Sequence, residues 1–482
     1  MAQVGNNYSM AQATRALPKV IQGGMGVAVS NWNLARAVSL SGGMGVVSGT
    51  AIDAVLIRRL ESGDVDGSVR RALKAFPNQS TAEEILNKYF IEGGKSSDTP
   101  YSNAPKLRIE TNRHSQDLLI VGSFVEVWLA KEGHTNPVGI NFLEKIQMGT
   151  AASAFGAMLA GVDYVIMGAG IPRELPRYLT EISQLKSSYI TIDVVNGESQ
   201  KIVINPADFV DVNSVNIKRP MFLAIIINDV LAAYLARDES SRPDGFIIEG
   251  PSAGGHNAPP RGKVQFDDDN EPIYGPRDLA NLEKMKNYGY PFWLAGGFGG
   301  AGRLKDALAL GAAGVQVGTL FALSQDSGFT DEIRNQILDS MKDGSFEIHT
   351  DMKASPTGFP IKIVSLPGTT AIPEVFAARP KLCDMGYLRE PILLKSGSLA
   401  YRCPSEPVIP YLKKDGTEEE TIGRKCLCNG LFANIGLGQH RRDGYEEAPI
   451  VTLGSDVDGC RELLKLYPNG WSAKEAVAFI EG

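Results

Sequence analysis

Short apolar runs that stop abruptly at glycine pairs recur along this chain, and the segment Phe246 to Asn257, F-I-I-E-G-P-S-A-G-G-H-N, shows the pattern most sharply. Its first four residues suit a buried parallel strand, and Gly-Pro-Ser-Ala-Gly-Gly ends that strand in an open turn. His256 then stands at the strand's carboxyl end, where α/β proteins bind ligands and supply catalytic side chains. A lone Gly-Gly-His is also met as a capped turn with a solvated histidine, so the surrounding chain has to decide. Forty residues on, Pro291 to Phe321 reads P-F-W-L-A-G-G-F-G-G-A-G-R-L-K-D-A-L-A-L-G-A-A-G-V-Q-V-G-T-L-F. Two apolar strands, Phe292 to Ala295 and Gly314 to Val317, flank an amphipathic helix from about Gly302 to Leu310. Gly296-Gly297 and Gly318-Thr319 end the two strands. Such turns bring backbone N–H groups close to an anion, as the last two loops of a (β/α)8 barrel do for phosphate.

The same unit, traced from the N-terminus, gives the full barrel count. Strands are expected at Lys19 to Gln22, Met44 to Val47, Val138 to Phe142, Asp163 to Met167, Met221 to Ile227 and Gly245 to Glu249, before the two phosphate strands. Helices intervene, including one from about Asn31 to Ser41 capped by Ser30 or Asn31. The fold class is therefore α/β, a (β/α)8 TIM barrel. At 482 residues the chain exceeds the roughly 250 of a plain barrel, so insertions are expected. Residues 1–330 form the barrel, with a charged, Gly- and Pro-rich elaboration at about 51–136 and a hairpin at about 189–217 around Asn196-Gly197. Residues 331–482 form a C-terminal extension packed on the barrel. In it, Gly430 to Gln439 either packs against the barrel or closes the active site.

Composition narrows the partners. A net charge of −7 argues against nucleic acid. No apolar run approaches the ~18 residues of a membrane span, and Met1 to Met10 lacks a signal-peptide core, so the cytoplasm is the expected location. A homo-oligomer is left open. The five cysteines fit a reducing compartment. Cys426-x-Cys428 with two more of Cys383, Cys403 and Cys460 could ligate zinc or an iron–sulfur cluster, but the spacing is irregular, and thiols packed in the extension are the expected arrangement. His114 and His134 sit in polar surroundings and are expected at the surface. The triple Asp267-Asp268-Asp269 reads as a solvated turn.

Together, V-I-Q-G-G-M-G, G-I-N-F, V-I-M-G-A-G-I-P, E-G-P-S-A-G-G-H, W-L-A-G-G-F-G-G and V-Q-V-G-T-L-F resemble the nitronate monooxygenase family, formerly 2-nitropropane dioxygenase. That family includes the flavin-dependent enoyl-acyl carrier protein reductases. The resemblance covers roughly residues 18 to 330. It implies a TIM barrel with FMN held non-covalently at its top, the backbone of Gly23, Gly24 and Met25 along the flavin ring, and Asn141 hydrogen-bonded to it. It implies that Gly255, Gly296, Gly297, Gly318 and Thr319 hold the ribityl phosphate, and that His256 is the active-site histidine. The expected reaction is oxidation of alkyl nitronates with O2. The alternative is reduction of an enoyl thioester with NAD(P)H as electron donor. Several nitronate-oxidising members carry a polar or cationic side chain on the fifth strand, whereas Leu223 to Ile227 is apolar here. A non-catalytic flavin-binding partner or redox sensor is the reading of another class. The long loop Asn257 to Arg277 is expected to form a lid, with Arg261, Lys263 and Tyr274 available to a substrate or a nucleotide phosphate.

Overall fold

The computed structural model describes residues 16–482. The stretch Met1 to Met10, on which the signal-peptide expectation rests, lies outside the described residues. The strands, in chain order, are β1 (Val20–Gln22), β2 (Gly45–Ser48), β3 (Val138–Leu143), β4 (Tyr164–Gly168), β5 (Ser188–Ile192), β6 (Gln200–Ile204), β7 (Met221–Ile226), β8 (Gly245–Glu249), β9 (Phe292–Ala295) and β10 (Gly314–Val317). Eight of them form one parallel sheet in the order β1-β10-β9-β8-β7-β4-β3-β2. A parallel bridge between Ile21 and Met44 closes the sheet into a ring. Across that seam the Gln22 N–H donates to Met44 O at 3.0 Å and the Met44 N–H to Val20 O at 2.8 Å. The Gln22 side chain adds a stitch, its Oε1 accepting the Val46 N–H at 3.0 Å. The barrel read from the sequence is thus the barrel observed, with strand ends agreeing to one or two residues.

Inward-facing side chains fill the barrel, since a strand alternates its faces and every second residue points to the axis. Ile21, Met44, Val46, Tyr164, Ile166, Leu223, Ile247 and Trp293 form this inner core. The Trp293 indole would be a costly orphan there, and its N–H donates to Pro18 O at 2.7 Å. The hairpin pairs β5 with β6 antiparallel and lies apart from the barrel sheet. Asn196 in its turn has φ 59, a left-handed conformation that Asn tolerates.

Two helices of the segment 51–136 escaped the sequence reading. One is Ile52–Glu61; the other, Arg113–Lys131, is 19 residues long. Thirteen residues of the second helix, from Ser115 to Ala130, are buried, so no polar stripe marks its period. His114, at its start, is half-buried, its Nε2 2.8 Å from Tyr89 Oη and 3.0 Å from Lys88 Nζ and its ring stacked on Tyr89. His134 is also half-buried, with Nε2 2.8 Å from Ala130 O.

Beyond residue 330 come β11 (Ile348–Asp351), which pairs antiparallel with β12 (Ile361–Val364), and β13 (Glu390–Leu393), which pairs with β14 (Leu399–Arg402). Helices Leu427–Ala433, Asp458–Leu466 and Ala473–Glu481 follow. The last has a capping box between Ser472 and Glu475, which satisfies its first N–H groups. Specific side chains tie this extension to the segment 51–136. Tyr387 Oη donates to buried Asp53 at 2.6 Å, and the Arg58 guanidinium lies over the Phe432 ring while donating to Leu437 O.

Candidate active site

At the carboxyl ends of the barrel strands lies a cavity of about 260 Å³. All ten residues singled out from the sequence line it: Gly23, Gly24, Met25, Asn141, Gly255, His256, Gly296, Gly297, Gly318 and Thr319. They come from loops after β1, β8, β9 and β10 and from β3 itself, so strand geometry gathers residues nearly three hundred positions apart. The floor is built tightly. A Cβ on Gly24 would stand 2.2 Å from the Asn141 Cβ, so only glycine lets the first loop lie against that side chain. Gly296 and Gly297 both hold positive φ, 80 and 82, in the turn after β9. Thr319 turns its hydroxyl towards the extension, accepting the Gly454 N–H at 2.8 Å.

Two further floor residues escaped the sequence reading, Glu249 and Gln316. Each is a lone polar residue in an apolar strand, the signal that singled out Asn141. Gln316 Oε1 is buried without a hydrogen-bond partner, an arrangement that calls for a donor from a bound molecule. The roof also went unforeseen. Ile361, Leu427, Leu431, Asn434, Leu453 and Cys460, all from the extension, close the cavity from above. Asn434 Oδ1 is another buried acceptor without a partner. Of the two roles open to Gly430 to Gln439, closing the site is the one its residues Leu431 and Asn434 occupy.

The expected lid is a correction. Among the residues lining the cavity none lies between Asn257 and Arg277. Asn257 is pinned by its N–H to Pro360 O at 2.9 Å, and Asp278 accepts from the Arg261 and Gly275 N–H groups, so the loop closes on itself. Tyr274 Oη is spent on Ala258 O at 3.1 Å.

Electrostatically the cavity is unusual for its lack of positive charge. Burial pushes the His256 imidazole down to about 4, so it is neutral near pH 7. Its Nε2 stands 2.6 Å from the hydroxyl of Ser355, a fully buried extension residue that is also 2.7 Å from Thr357 Oγ1. The same burial pushes the Glu249 carboxyl up to about 7, opposed by the positive charge of buried Lys362. Both groups keep part of their surface open, and that part faces the cavity. Among the described residues Glu249 and Asp456 are the acidic lining residues, and no lysine or arginine lines the cavity. Ile225, on the fifth barrel strand, contributes an apolar wall.

Known proteins bear on this geometry in three ways. A dehydrogenase of Mycobacterium tuberculosis, (3aS,4S,5R,7aS)-5-hydroxy-7a-methyl-1-oxo-octahydro-1H-indene-4-carboxyl-CoA dehydrogenase, is 31% identical over 123 residues, 25% of this chain and 31% of that protein. The match thus spans under a third of that relative. Among solved structures, FabK from Thermotoga maritima covers 96% of this chain and 91% of its own at 16% identity and a TM-score of 0.46. Nitroalkane oxidase from Streptomyces ansochromogenes covers 96% and 94% at 14% identity and a TM-score of 0.48. The nitronate monooxygenase family model matches residues 142–356, from the end of β3 past the barrel to Ser355, which approaches His256. That segment matches the nitronate monooxygenase family model, the family that the motifs of the sequence resemble.

Proposed function

We propose that the protein is an FMN-dependent oxidoreductase that reduces the carbon–carbon double bond of a neutral enoyl thioester, with NAD(P)H as electron donor. The observation that carries this reading is the charge of the cavity, which among the described residues offers two acidic side chains, a neutral imidazole and no cationic side chain. An anionic nitronate would find no counter-charge there and would lose its hydration without compensation. The enoyl thioester group itself is uncharged and meets no such penalty. The curated relative's name is that of a dehydrogenase acting on a carboxyl-CoA, itself a thioester.

The residues present suit FMN. Gln316 Oε1 and Asn434 Oδ1 are buried acceptors without partners, one in the floor and one in the roof, and the flavin ring carries an N–H to give. Gly23, Gly24 and Met25 would lie along the ring, with Asn141 hydrogen-bonded to it. Gly255, Gly296, Gly297, Gly318 and Thr319 would hold the phosphate through backbone N–H groups and a hydroxyl. When bound, FMN would supply the two-electron redox chemistry that links the nicotinamide donor to the enoyl acceptor. His256, neutral and anchored by Ser355, would orient the thioester carbonyl by hydrogen bonding. Glu249, titrating near neutrality, would hold the proton destined for the α-carbon. The extension would exclude water from above.

Anaerobic stopped-flow absorbance tests the reading. Rapid bleaching of the oxidised flavin band by NADPH or NADH, reversed by an enoyl thioester such as crotonyl-CoA, is the expected result. Bleaching by propionate 3-nitronate and by neither nicotinamide would replace it with the monooxygenase. A flavin that no donor reduces would favour a non-catalytic partner.

A further inference from the structure

His256 meets the extension through a chain of hydroxyls that leads out of the cavity. Its Nε2 stands 2.6 Å from Ser355 Oγ, and Ser355 Oγ stands 2.7 Å from Thr357 Oγ1. Ser355 is fully buried, whereas Thr357 keeps part of its surface open and the next residue, Gly358, is exposed. Neither Ser355 nor Thr357 lines the flavin cavity, so the open surface of Thr357 lies outside it. The three groups therefore run from the cavity wall, through the roof, to the outer side.

The turn that carries the two hydroxyls restricts what each can do. The Thr357 N–H donates to Ser355 Oγ at 3.2 Å, and the Gly358 N–H and the Arg424 guanidinium both donate to Ser355 O. A serine hydroxyl has one proton and two lone pairs. With one lone pair taken by the Thr357 N–H, one proton and one lone pair are left for two partners, His256 Nε2 and Thr357 Oγ1. Ser355 must accept from one and donate to the other, and reversing both bonds moves one proton along the chain.

A neutral imidazole needs such a chain if it is to pass a proton on. Burial keeps His256 neutral, and Nε2 is committed to Ser355, which leaves Nδ1 for the cavity side. Loss of the Nδ1 proton alone would leave a buried imidazolate, a costly charge, unless Nε2 gains a proton in the same step. Reduction of a double bond by NAD(P)H consumes one proton per turnover, and a cavity roofed against water needs a route for it.

We propose that Thr357 and Ser355 form a proton path from solvent to His256, through which Glu249 is reloaded after it has given its proton to the substrate. Water gives a proton to Thr357 Oγ1, the Thr357 proton passes to Ser355 Oγ, and the Ser355 proton passes to His256 Nε2. The proton on Nδ1 crosses the cavity that both residues line to the Glu249 carboxylate. One proton leaves the solvent, one reaches Glu249, and the ring stays neutral. Ser355 and Thr357 are positioning residues, since they act through His256. The inward direction and the role of Glu249 rest on the enoyl reductase reading, whereas the path itself rests on the chain's own atoms.

Thr357→Val, which removes the outer hydroxyl with little change in volume, tests the path in full-length protein with its flavin. Steady-state reduction of crotonyl-CoA should slow about fivefold, in line with the loss of one hydrogen bond, and its solvent deuterium isotope effect should rise. The first turnover in stopped flow should keep its wild-type rate, because Glu249 starts loaded; a displaced histidine would slow both. Thr357→Ser should restore turnover. Equal slowing of first and later turnovers, or no slowing, would overturn the proposal. A second measurement needs no substrate: exchange of the His256 ring proton with water, followed by nitrogen-15 nuclear magnetic resonance, should fall about fivefold or more in Thr357→Val. Unchanged exchange would sink the path even in a working enoyl reductase, and slowed exchange would uphold it even in a protein that reduces no enoyl thioester.

Discussion

The floor of the active-site cavity and its roof are held in contrasting ways. Below, Ile21, Tyr164, Leu223, Ile247 and Trp293 fill the barrel with apolar side chains, and parallel ladders set the position of every strand end. Above, the extension packs an apolar cluster of its own, Ala354, Ile361, Ile363, Leu427 and Ile450, and adds buried polar contacts between its segments. Arg379 and Glu447 form a buried ion pair, Lys425 Nζ reaches Thr370 O at 2.8 Å, and Asn434 Nδ2 reaches Ile450 O at 2.7 Å. Area burial tolerates conservative exchange, whereas a buried polar contact fails when one partner is removed. The floor therefore rests on apolar packing and strand ladders, and the roof adds buried polar contacts that fail when one partner is lost.

Breaking each side separately sharpens the contrast. His256→Ala, in the floor, is expected to lower kcat by ~10²–10⁴ while flavin stoichiometry stays unchanged; loss of flavin in step with activity would make His256 structural. Arg379→Ala, in the roof, leaves buried Glu447 with only the more distant Arg441, at 3.8 Å, as counter-charge and should cost about 3 kcal/mol in urea unfolding. A barrel that keeps its far-ultraviolet circular dichroism through that loss would confirm that the roof opens first.

Glu249→Gln probes the floor through pH. The folded carboxyl, raised to about 7 from 4.5, keeps a proton that the unfolded chain gives up. Stability from this group therefore falls as pH rises from about 4.5 to 7, by up to about 3 kcal/mol, less where cavity water screens it. His256, lowered to about 4 from 6.5, acts in the opposite sense, its stability contribution falling as pH drops from about 6.5 to 4. In flavin-free protein the glutamine variant should gain stability relative to wild type at pH 8 and not at pH 4. An unchanged difference between those pH values would mean that Glu249 ionises normally.

The seam between the two regions is a backbone contact. A Cβ on Gly459 would lie 2.2 Å from Gly299 O, so Gly459→Ala should cost about 1–3 kcal/mol and weaken flavin retention. Ser355→Ala removes the roof's one hydrogen bond to His256. It should slow turnover by about fivefold, in line with ~1 kcal/mol for a single bond, with little change in melting temperature.

Gly23 to Met25, Asn141, His256, Gly296-Gly297 and Gly318-Thr319 were legible because a barrel strand is a short local pattern with its ligand-facing residue at a fixed end. Glu249 and Gln316 carried the same signal as Asn141 and were passed over. The helix Arg113–Lys131 was hidden because burial on most sides erased its period. Arg261, Lys263 and Tyr274 were misplaced because a long polar loop looks alike whether it closes over a site or folds away from it. Sequence alone determined the barrel, its closing order and the glycine-lined floor, since periodicity and chain-local turns encode them. Only the tertiary structure decided that residues 354 to 460 form the roof, that His256 is neutral against Ser355, and that Cys383, Cys403, Cys426 and Cys428 line one small cavity, because those contacts join segments whose separation leaves no periodic mark.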